Sequence, residues 1–493
     1  MSGDKRVGNP FPSRALATAA GIGQPDVKID MLKDDVLLEI FDSYRKLVVE
    51  PDGMWKWKKL LHVCRRWRYL ILGSPRRLDL QIKCLRTTPT KKLLDTWPMP
   101  DLPIFISCVP FSGKSGSHNV FGALQQLNRI SQMNFSGMTW KEMKQFAAAM
   151  EGPFPLLTHV RVSIHSPAVT AELPDSFLGG SAPHLQSFVL EGTAFSALPN
   201  LVLSATHFHQ LHLHNIPHAG YIPPEAMVTF LLPFHNLKGL TIGFSSPESR
   251  PLQMSPPPST PALLHSLTSF RFDGAGEYLV DFIARIDTPM LDKFKMMLFS
   301  DIIPNISQLH KFIDRIDRPK TFTQAKAFIR YSEVQAIFES RSDLELDITF
   351  KASNSPLVSI LRLLEQFPTI PSQVKQLEIY EEFSDGPGFL LDDEEEWEPE
   401  LNDPGWLQIF IPLVSVKSLY VPEGLEPFFA SALEKLPGER VTEVLPALEN
   451  LFLQSYDLES SGLVQDAIQS FVSMRQLSGH PVVLQCWDEE MMW

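Results

Sequence analysis

Few residues in this 493-residue chain have types and spacings that could do chemistry. Cys108-Val-Pro-Phe-Ser-Gly-Lys-Ser115 follows an extended apolar run, Leu102 to Ser107, and precedes a helical pattern, as a phosphate-cradling loop would. Cys108, however, stands where the first glycine of GxxxxGK[ST] lets the backbone approach phosphate, and no strand ending in a magnesium-binding Asp accompanies it. Histidines cluster at His207, His209, His212, His214 and His218. Strand alternation puts His212 and His214 on one face, where two imidazoles could join a metal site or a pH-sensitive contact. No Cys or acid lies nearby in sequence to complete a metal site. No GxSxG or HExxH pattern is present. The chain therefore reads as having no catalytic residues, no cofactor and no metal.

The elements that would position side chains begin with the stretch Ile29 to Leu72. Val36, Leu37, Ile40, Phe41 and Tyr44 recur at one-face helical spacing behind Asp34 and Asp35, which suit a helix start. Trp57, Leu60, Leu61, Cys64, Trp67 and Ile71 repeat the rule, and Val63 and Leu70 widen the stripe. Pro51, Asp52 and Gly53 mark the break between two amphipathic segments. Basic residues in and after this stretch, such as Lys58, Lys59, Arg65, Arg66 and Arg77, interleave with the stripe. That makes them its solvated or partner-facing side and not a nucleic-acid patch.

This stretch resembles an F-box, the module that joins a protein to an SCF-type ubiquitin ligase through the Skp adaptor. The likeness rests on Leu32, on Asp34-Asp35-Val36-Leu37-Leu38-Glu39-Ile40-Phe41 and on Val63-Cys64-Arg65-Arg66-Trp67. Where the family usually carries Leu-Pro, Leu32 is followed by Lys33, which removes a fixed φ at the start of the helix. The resemblance implies adaptor contacts at Leu32, Val36, Leu37, Ile40, Phe41, Leu60, Val63, Cys64, Trp67 and Leu70, some of which must instead fill the box's own core. The whole chain is also similar to a fungal lineage of F-box proteins. There the box and a segment like Pro75-Arg-Arg-Leu-Asp-Leu-Gln-Ile-Lys-Cys84 lead into an irregular leucine-rich region, with a stretch like Gly438 to Leu453 near the end.

Apolar content of 44% and charged content of 20% are globular values, and the length allows two or more structural units. Cys64, Cys84, Cys108 and Cys486 form no CxxC pair, which fits a reducing cytosol or nucleus. No apolar run is long enough to span a membrane. Arg14 ahead of the mildly apolar Ala15–Gly23 run has the order of a signal or transit peptide. The run is short and rich in Ala and Gly, so residues 1–28 read as a disordered lead-in. Net charge is −13, but residues 381–404 carry eleven acids and no Lys or Arg, leaving −13 + 11 = −2 for the rest. That segment reads as a solvated acidic loop without a calcium-ligand pattern.

Internal repetition is the strongest signal in the remainder. The pattern apolar-x-x-apolar-x-apolar occurs at Ile130-Met133-Phe135, Leu157-Val160-Val162, Leu185-Phe188-Leu190 and Phe208-Leu211-Leu213. It continues at Leu237-Leu240-Ile242, Leu267-Phe270-Phe272 and Leu291-Phe294-Met296, with starts 27, 28, 23, 29, 30 and 24 residues apart. Those intervals match the period of leucine-rich repeats. Val374-Leu377-Ile379, Val416-Leu419-Val421 and Leu448-Leu451-Leu453 follow after a less regular stretch. The expected fold is a small N-terminal helical F-box (29–75) followed by an irregular leucine-rich-repeat-like α/β solenoid (76–487). A Pro-rich loop (247–261) and the acidic loop (381–404) interrupt it. A compact α/β domain with evenly spaced strands is the alternative.

Residues between the buried pairs of each strand, Asn134, Arg161, Val189, His212, Thr241, Arg271 and Lys295, should share the face opposite the core. Of these, Asn134, Arg161, His212, Thr241, Arg271 and Lys295 are the candidates for binding a target. Their Arg and Lys suit carboxylate or phosphate. The expected function is a non-catalytic substrate receptor of an SCF-type ligase, partnered by the Skp adaptor, through it a cullin, and a target protein. Neither nucleic acid nor membrane is an expected partner. The alternative is a scaffold that binds the adaptor without supporting ubiquitination.

Overall fold

The computed structural model describes residues 29–47, 57–74, 77–78, 80–87, 89–96, 102–108, 117–164, 171–253, 256, 258–318, 321–330, 333–340, 344–351, 356–381, 405–436, 441–454 and 462–487. The expected lead-in, the Pro51–Gly53 break and the acidic loop beyond Glu381 lie outside them, as do parts of the Pro-rich loop. The chain forms two compact units, Met1–Gln81 and Ile82–Trp493.

In the first unit a 3-10 turn, Ile29–Met31, leads to α1 (Asp34–Leu47), α2 (Trp57–Leu61) and α3 (Arg65–Gly73). The Lys33 carbonyl accepts the first helical N–H, from Leu37 at 3.1 Å. Asp34 and Asp35 therefore occupy the first turn, where the helix dipole favours negative charge. Leu37, Leu38 and Phe41 are buried, as are Leu61 and Ile71. Cys64, extended at φ −154° and ψ 170°, caps α3 by accepting the Trp67 N–H on its sulfur at 3.5 Å. Trp67 then meets Phe41 edge to face, ring centroids 4.8 Å apart.

The second unit runs β1 (Ile82–Leu85), α4 (Thr90–Thr96), β2 (Ile104–Cys108), α5 (Ser117–Leu124), β3 (Ile130–Met138), α6 (Trp140–Ala149), β4 (His159–Ile164), β5 (Ser187–Glu191), α7 (Leu198–Leu203), β6 (Gln210–Ile216), α8 (Pro224–Leu231) and β7 (Gly239–Phe244). There follow β8 (Ala262–Leu263), β9 (Ser269–Gly274), α9 (Gly276–Ile283), β10 (Ile286–Asp287), β11 (Lys293–Leu298), α10 (Ile306–Arg315), β12 (Phe322–Ile329), β13 (Glu333–Ser340) and β14 (Glu345–Lys351). Last come α11 (Pro356–Gln366), β15 (Gln376–Glu381), α12 (Gly405–Phe410), β16 (Ser418–Val421), α13 (Glu426–Glu434), β17 (Asn450–Leu453), α14 (Leu463–Leu477) and β18 (Val483–Cys486). Among the described residues sixteen strands make one sheet in the order β1-β2-β3-β4-β5-β6-β7-β9-β11-β14-β13-β12-β15-β16-β17-β18, and β8 pairs with β10 separately. Every pairing in the large sheet is parallel except those of β13 with β12 and β14. The architecture is mixed α/β, dominated by this mostly parallel sheet.

Each apolar motif read from the sequence coincides with a strand, and the register explains its form. The second apolar residues align across strands as Met133, Val160, Phe188, Leu211, Leu240, Phe270 and Phe294. The third align as Phe135, Val162, Leu190, Leu213, Ile242, Phe272 and Met296, so two apolar ladders cross the sheet. The first apolar residue of most motifs closes a turn ahead of the strand: Leu157 N–H donates to Phe154 O, Leu185 to Ala182 O and Leu448 to Leu445 O. Helices cover the ladders, with Phe135 on Phe146, Phe270 on Phe282 and Phe294 on Phe312 at 5.3–5.6 Å between centroids.

Turns stacked this way would leave backbone groups unpaired, and a second ladder satisfies them. Thr158 N–H donates to Ser131 O, Gln186 to Thr158 O, His209 to Gln186 O, Lys238 to His209 O, Thr268 to Lys238 O and Asp292 to Thr268 O, all at 2.8–3.0 Å. Two buried arginines, Arg129 and Arg475, and the half-buried Arg315 add to it. Arg129 donates to Leu102 O, Arg315 to Ile283 O and Ile286 O, and Arg475 to Pro446 O and Leu448 O. No helix among the described residues is long and apolar enough to cross a membrane.

Candidate interaction surfaces

In the first unit the adaptor candidates separate into interior and surface. Leu37 and Phe41, at 0% and 2% exposure, belong to the unit's own core. Val36, Ile40 and Val63, at 43%, 41% and 57%, are apolar yet open to solvent. Leu32, Leu60, Cys64, Trp67 and Leu70 are half-buried. Val36 and Ile40 lie one turn apart on α1, opposite in exposure to Leu37 and Phe41, so one helix carries a core face and an apolar face that is exposed among the described residues. Arg66 ties the start of α1 in place. Its Nη2 donates to Leu32 O at 2.5 Å and to Asp34 Oδ1 at 2.6 Å, and its Nε reaches the same oxygen at 3.0 Å. This clamp holds the first turn where a proline would otherwise fix φ. Arg77 spans Asp35 and Glu39 at 3.0 and 2.9 Å on the same helix.

In the second unit the candidate target residues fall on one lateral line. Asn134 pairs in register with Arg161, then Val189, His212, Thr241, Arg271 and Lys295, on the face opposite the helix-packed ladders. Their charges are not free. Arg161 is 3.9 Å from Glu191, Arg271 3.0 Å from Asp273, and Lys295 2.6 Å from Asp347 of β14. The line is a row of neutralised pairs, so an anionic target finds little unmatched positive charge on it.

His212 and His214 stack with ring centroids 6.0 Å apart, and His212 Nδ1 lies 2.8 Å from Thr241 Oγ1. Burial, then His214 and Arg161, pushes the His212 imidazole down to about 4. His214 is lowered by burial and Arg271, partly offset by Asp273 and Glu191. The fold thus supplies acids that sequence proximity did not. Even so, no group of three or more His, Cys, Asp or Glu able to hold a metal occurs among the described residues. Cys108 ends β2 fully buried, and burial pushes its thiol up to about 11, which is the setting of an interior residue. Residues 109–115 of the phosphate-loop-like pattern lie outside the described residues. No family model matches the chain, and neither does any curated protein.

One feature of the same face carried no signal in the repeat pattern. Phe328, Tyr380 and Trp487 form a buried cluster with Ile337, Tyr420 and Phe452 packed against it half-exposed. Tyr420 and Phe452 are register partners on β16 and β17 and stack in parallel at 4.2 Å. Phe328 stacks on Tyr380 at 4.8 Å, and Trp487 stands edge-on to both Tyr380 and Tyr420 while its Nε1 donates to Val421 O at 3.1 Å. Phe328, Tyr380, Tyr420 and Phe452 occupy the polar-alternation positions of their strands. A count of aromatics out of phase with the apolar ladders would have found them.

Proposed function

We propose that the chain is a substrate-receptor subunit of an SCF-type ubiquitin ligase, with no catalytic step of its own. On this reading the first unit is an F-box that docks on the Skp adaptor, and the second is an irregular leucine-rich-repeat-like solenoid that holds a target protein. The observation that carries the reading is the division of labour within Val63-Cys64-Arg65-Arg66-Trp67 and α1. Cys64 caps a helix, Arg66 clamps Leu32 and Asp34, and Trp67 packs on Phe41, which leaves Val36, Ile40 and Val63 exposed as an apolar docking surface. Such a receptor works by proximity: adaptor and cullin hold the target near a charged conjugating enzyme and raise the effective concentration of its lysines. Work in the cytosol or nucleus follows from that role.

The test is co-purification of the full chain with the Skp adaptor, wild type beside Val36→Asp/Ile40→Asp. These two positions are exposed, so the variant keeps the core residues Leu37 and Phe41 and should retain its circular dichroism spectrum. Capture by wild type and its loss in the folded variant support the reading. No capture by wild type, or equal capture of both, sinks it.

A further inference from the structure

Glu378 of β15 is a buried carboxylate for which the described residues supply no compensating cation. It is buried, and each carboxylate oxygen receives one neutral donor: Gln376 Nε2 on Oε1 at 2.8 Å and Tyr380 Oη on Oε2 at 2.7 Å. No cation among them pairs with it. Lys326, its register neighbour on β12, lies 3.3 Å from Glu339 instead. A carboxylate oxygen accepts two hydrogen bonds, so acceptor capacity remains, and a buried anion held only by neutral donors gains most from a cation.

The aromatic shelf adjoins this carboxylate. Glu378 pairs in register with Tyr420, and Tyr420 with Phe452. The shelf already takes one guanidinium from its own chain: Arg330 lies over Phe328, 5.6 Å from the ring centroid. No described cation occupies the Tyr420–Phe452 end. Half-exposed aromatic faces beside an unneutralised carboxylate are the chemistry that receives an ammonium or guanidinium group.

The geometry points to a subsite, formed by Glu378, Tyr420 and Phe452, for a Lys or Arg side chain of a protein segment lying along the face of β15–β17 opposite their apolar ladders. It rests on the reading of the second unit as the target-holding part, and it names the chemistry of that target as cationic. The segment's Arg or Lys stem lies on the stacked rings and its head reaches Glu378.

The experiment probes the purified full chain with pools of otherwise degenerate 12-residue peptides whose central residue is Arg, Lys, citrulline, Glu or Ala. Wild type should retain the Arg and Lys pools about tenfold over citrulline and Ala. Glu378→Gln, which keeps the donors' partner in place, should lower that preference to about twofold, and Tyr420→Leu should lower it independently. Arg250→Gln, whose exposed side chain pairs with Glu277 of α9, should leave it unchanged. Equal retention of all pools, preference for the Glu pool, a preference that survives Glu378→Gln, or retention of oligo-dT in place of peptides would each overturn the subsite. Adaptor capture by the same Glu378→Gln protein separates the two ideas. A lost peptide preference with intact capture overturns neither, whereas a cationic preference in a chain that never binds adaptor keeps the subsite and removes the ligase reading.

Discussion

Two groups in the second unit give folding stability opposite dependences on pH, and removing either should expose the other. His212 is pushed down from 6.5 to about 4 by burial, helped by His214 and Arg161. Between those values the unfolded chain binds the proton and the folded one does not, so stability present at neutral pH is lost as pH falls from 6.5 towards 4. The full shift corresponds to about 3 kcal/mol, and partial exposure of the ring reduces this to about 2 kcal/mol. Glu381 is pushed up from 4.5 to about 7 by burial alone. A Cβ at Gly424 would collide with its carboxylate, so backbone lies directly against that group. Here the folded state binds the proton between 4.5 and 7, so stability is fully present below 4.5 and is lost as pH rises through 7. Discounted in the same way, the effect is about 1–2 kcal/mol. The contributions of His212 and Glu381 should therefore nearly cancel in wild type from pH 4.5 to 6.5, leaving the loss on acidification that His214, also lowered by burial, contributes. His212→Asn should lose stability as pH rises across that window, and Glu381→Gln should gain it. Urea midpoints at fixed ionic strength and the NMR titration of the imidazole read both effects. Parallel slopes in all three proteins, or an imidazole titrating near 6.5, would refute the reasoning.

Breaking the pair between Arg285 and Asp281, which are 8% and 5% exposed and 3.1 Å apart, should cost about 3 kcal/mol in Arg285→Met, because Asp281 is then buried without a cation. Adding Asp281→Leu to that variant should recover most of the loss, read as a double-mutant cycle in urea. Arg66→Ala should cost the first unit about 1–2 kcal/mol, seen as faster hydrogen exchange in α1, since a half-exposed charge-assisted clamp on Leu32 and Asp34 is removed. Ala325, Ala327 and Ala336 line a cavity of about 60 Å³ with Leu363, Trp406 and Phe410, where neighbouring strands place larger side chains. Ala336→Val should stabilise by about 1 kcal/mol, and a lower urea midpoint would show the cavity already closed to added methyls.

Much of the second unit was legible because its regularity is local. Each short motif contains its own turn-closing residue and two buried strand positions, so Leu157, Val160 and Val162 announce β4 without reference to anything distant. The stretch from Phe322 to Lys351 stayed irregular in sequence for a physical reason. Antiparallel β13 joins its neighbours by hairpin-like returns that need no such turn, and alanines replace the large apolar residues that mark the other strands. β1, β2 and β18 are likewise strands that lack the full motif.

Charge behaved differently from hydrophobicity. Sequence alone determined that Arg161, Arg271 and Lys295 share a face, because alternation along a strand is set by backbone geometry. It could not determine that Lys295 meets Asp347, 52 residues on (347 − 295), or that Glu378 meets no cation among the described residues, because strand neighbours are chosen by how the sheet closes over its insertion. In α1, too, periodicity put Val36, Leu37, Ile40 and Phe41 on one broad stripe, and only the packing of Phe41 on Trp67 decided which half faces inward. Local steric rules act within a few residues and are written in the chain. Pairing of charges and the choice of buried face depend on neighbours that only the tertiary structure supplies.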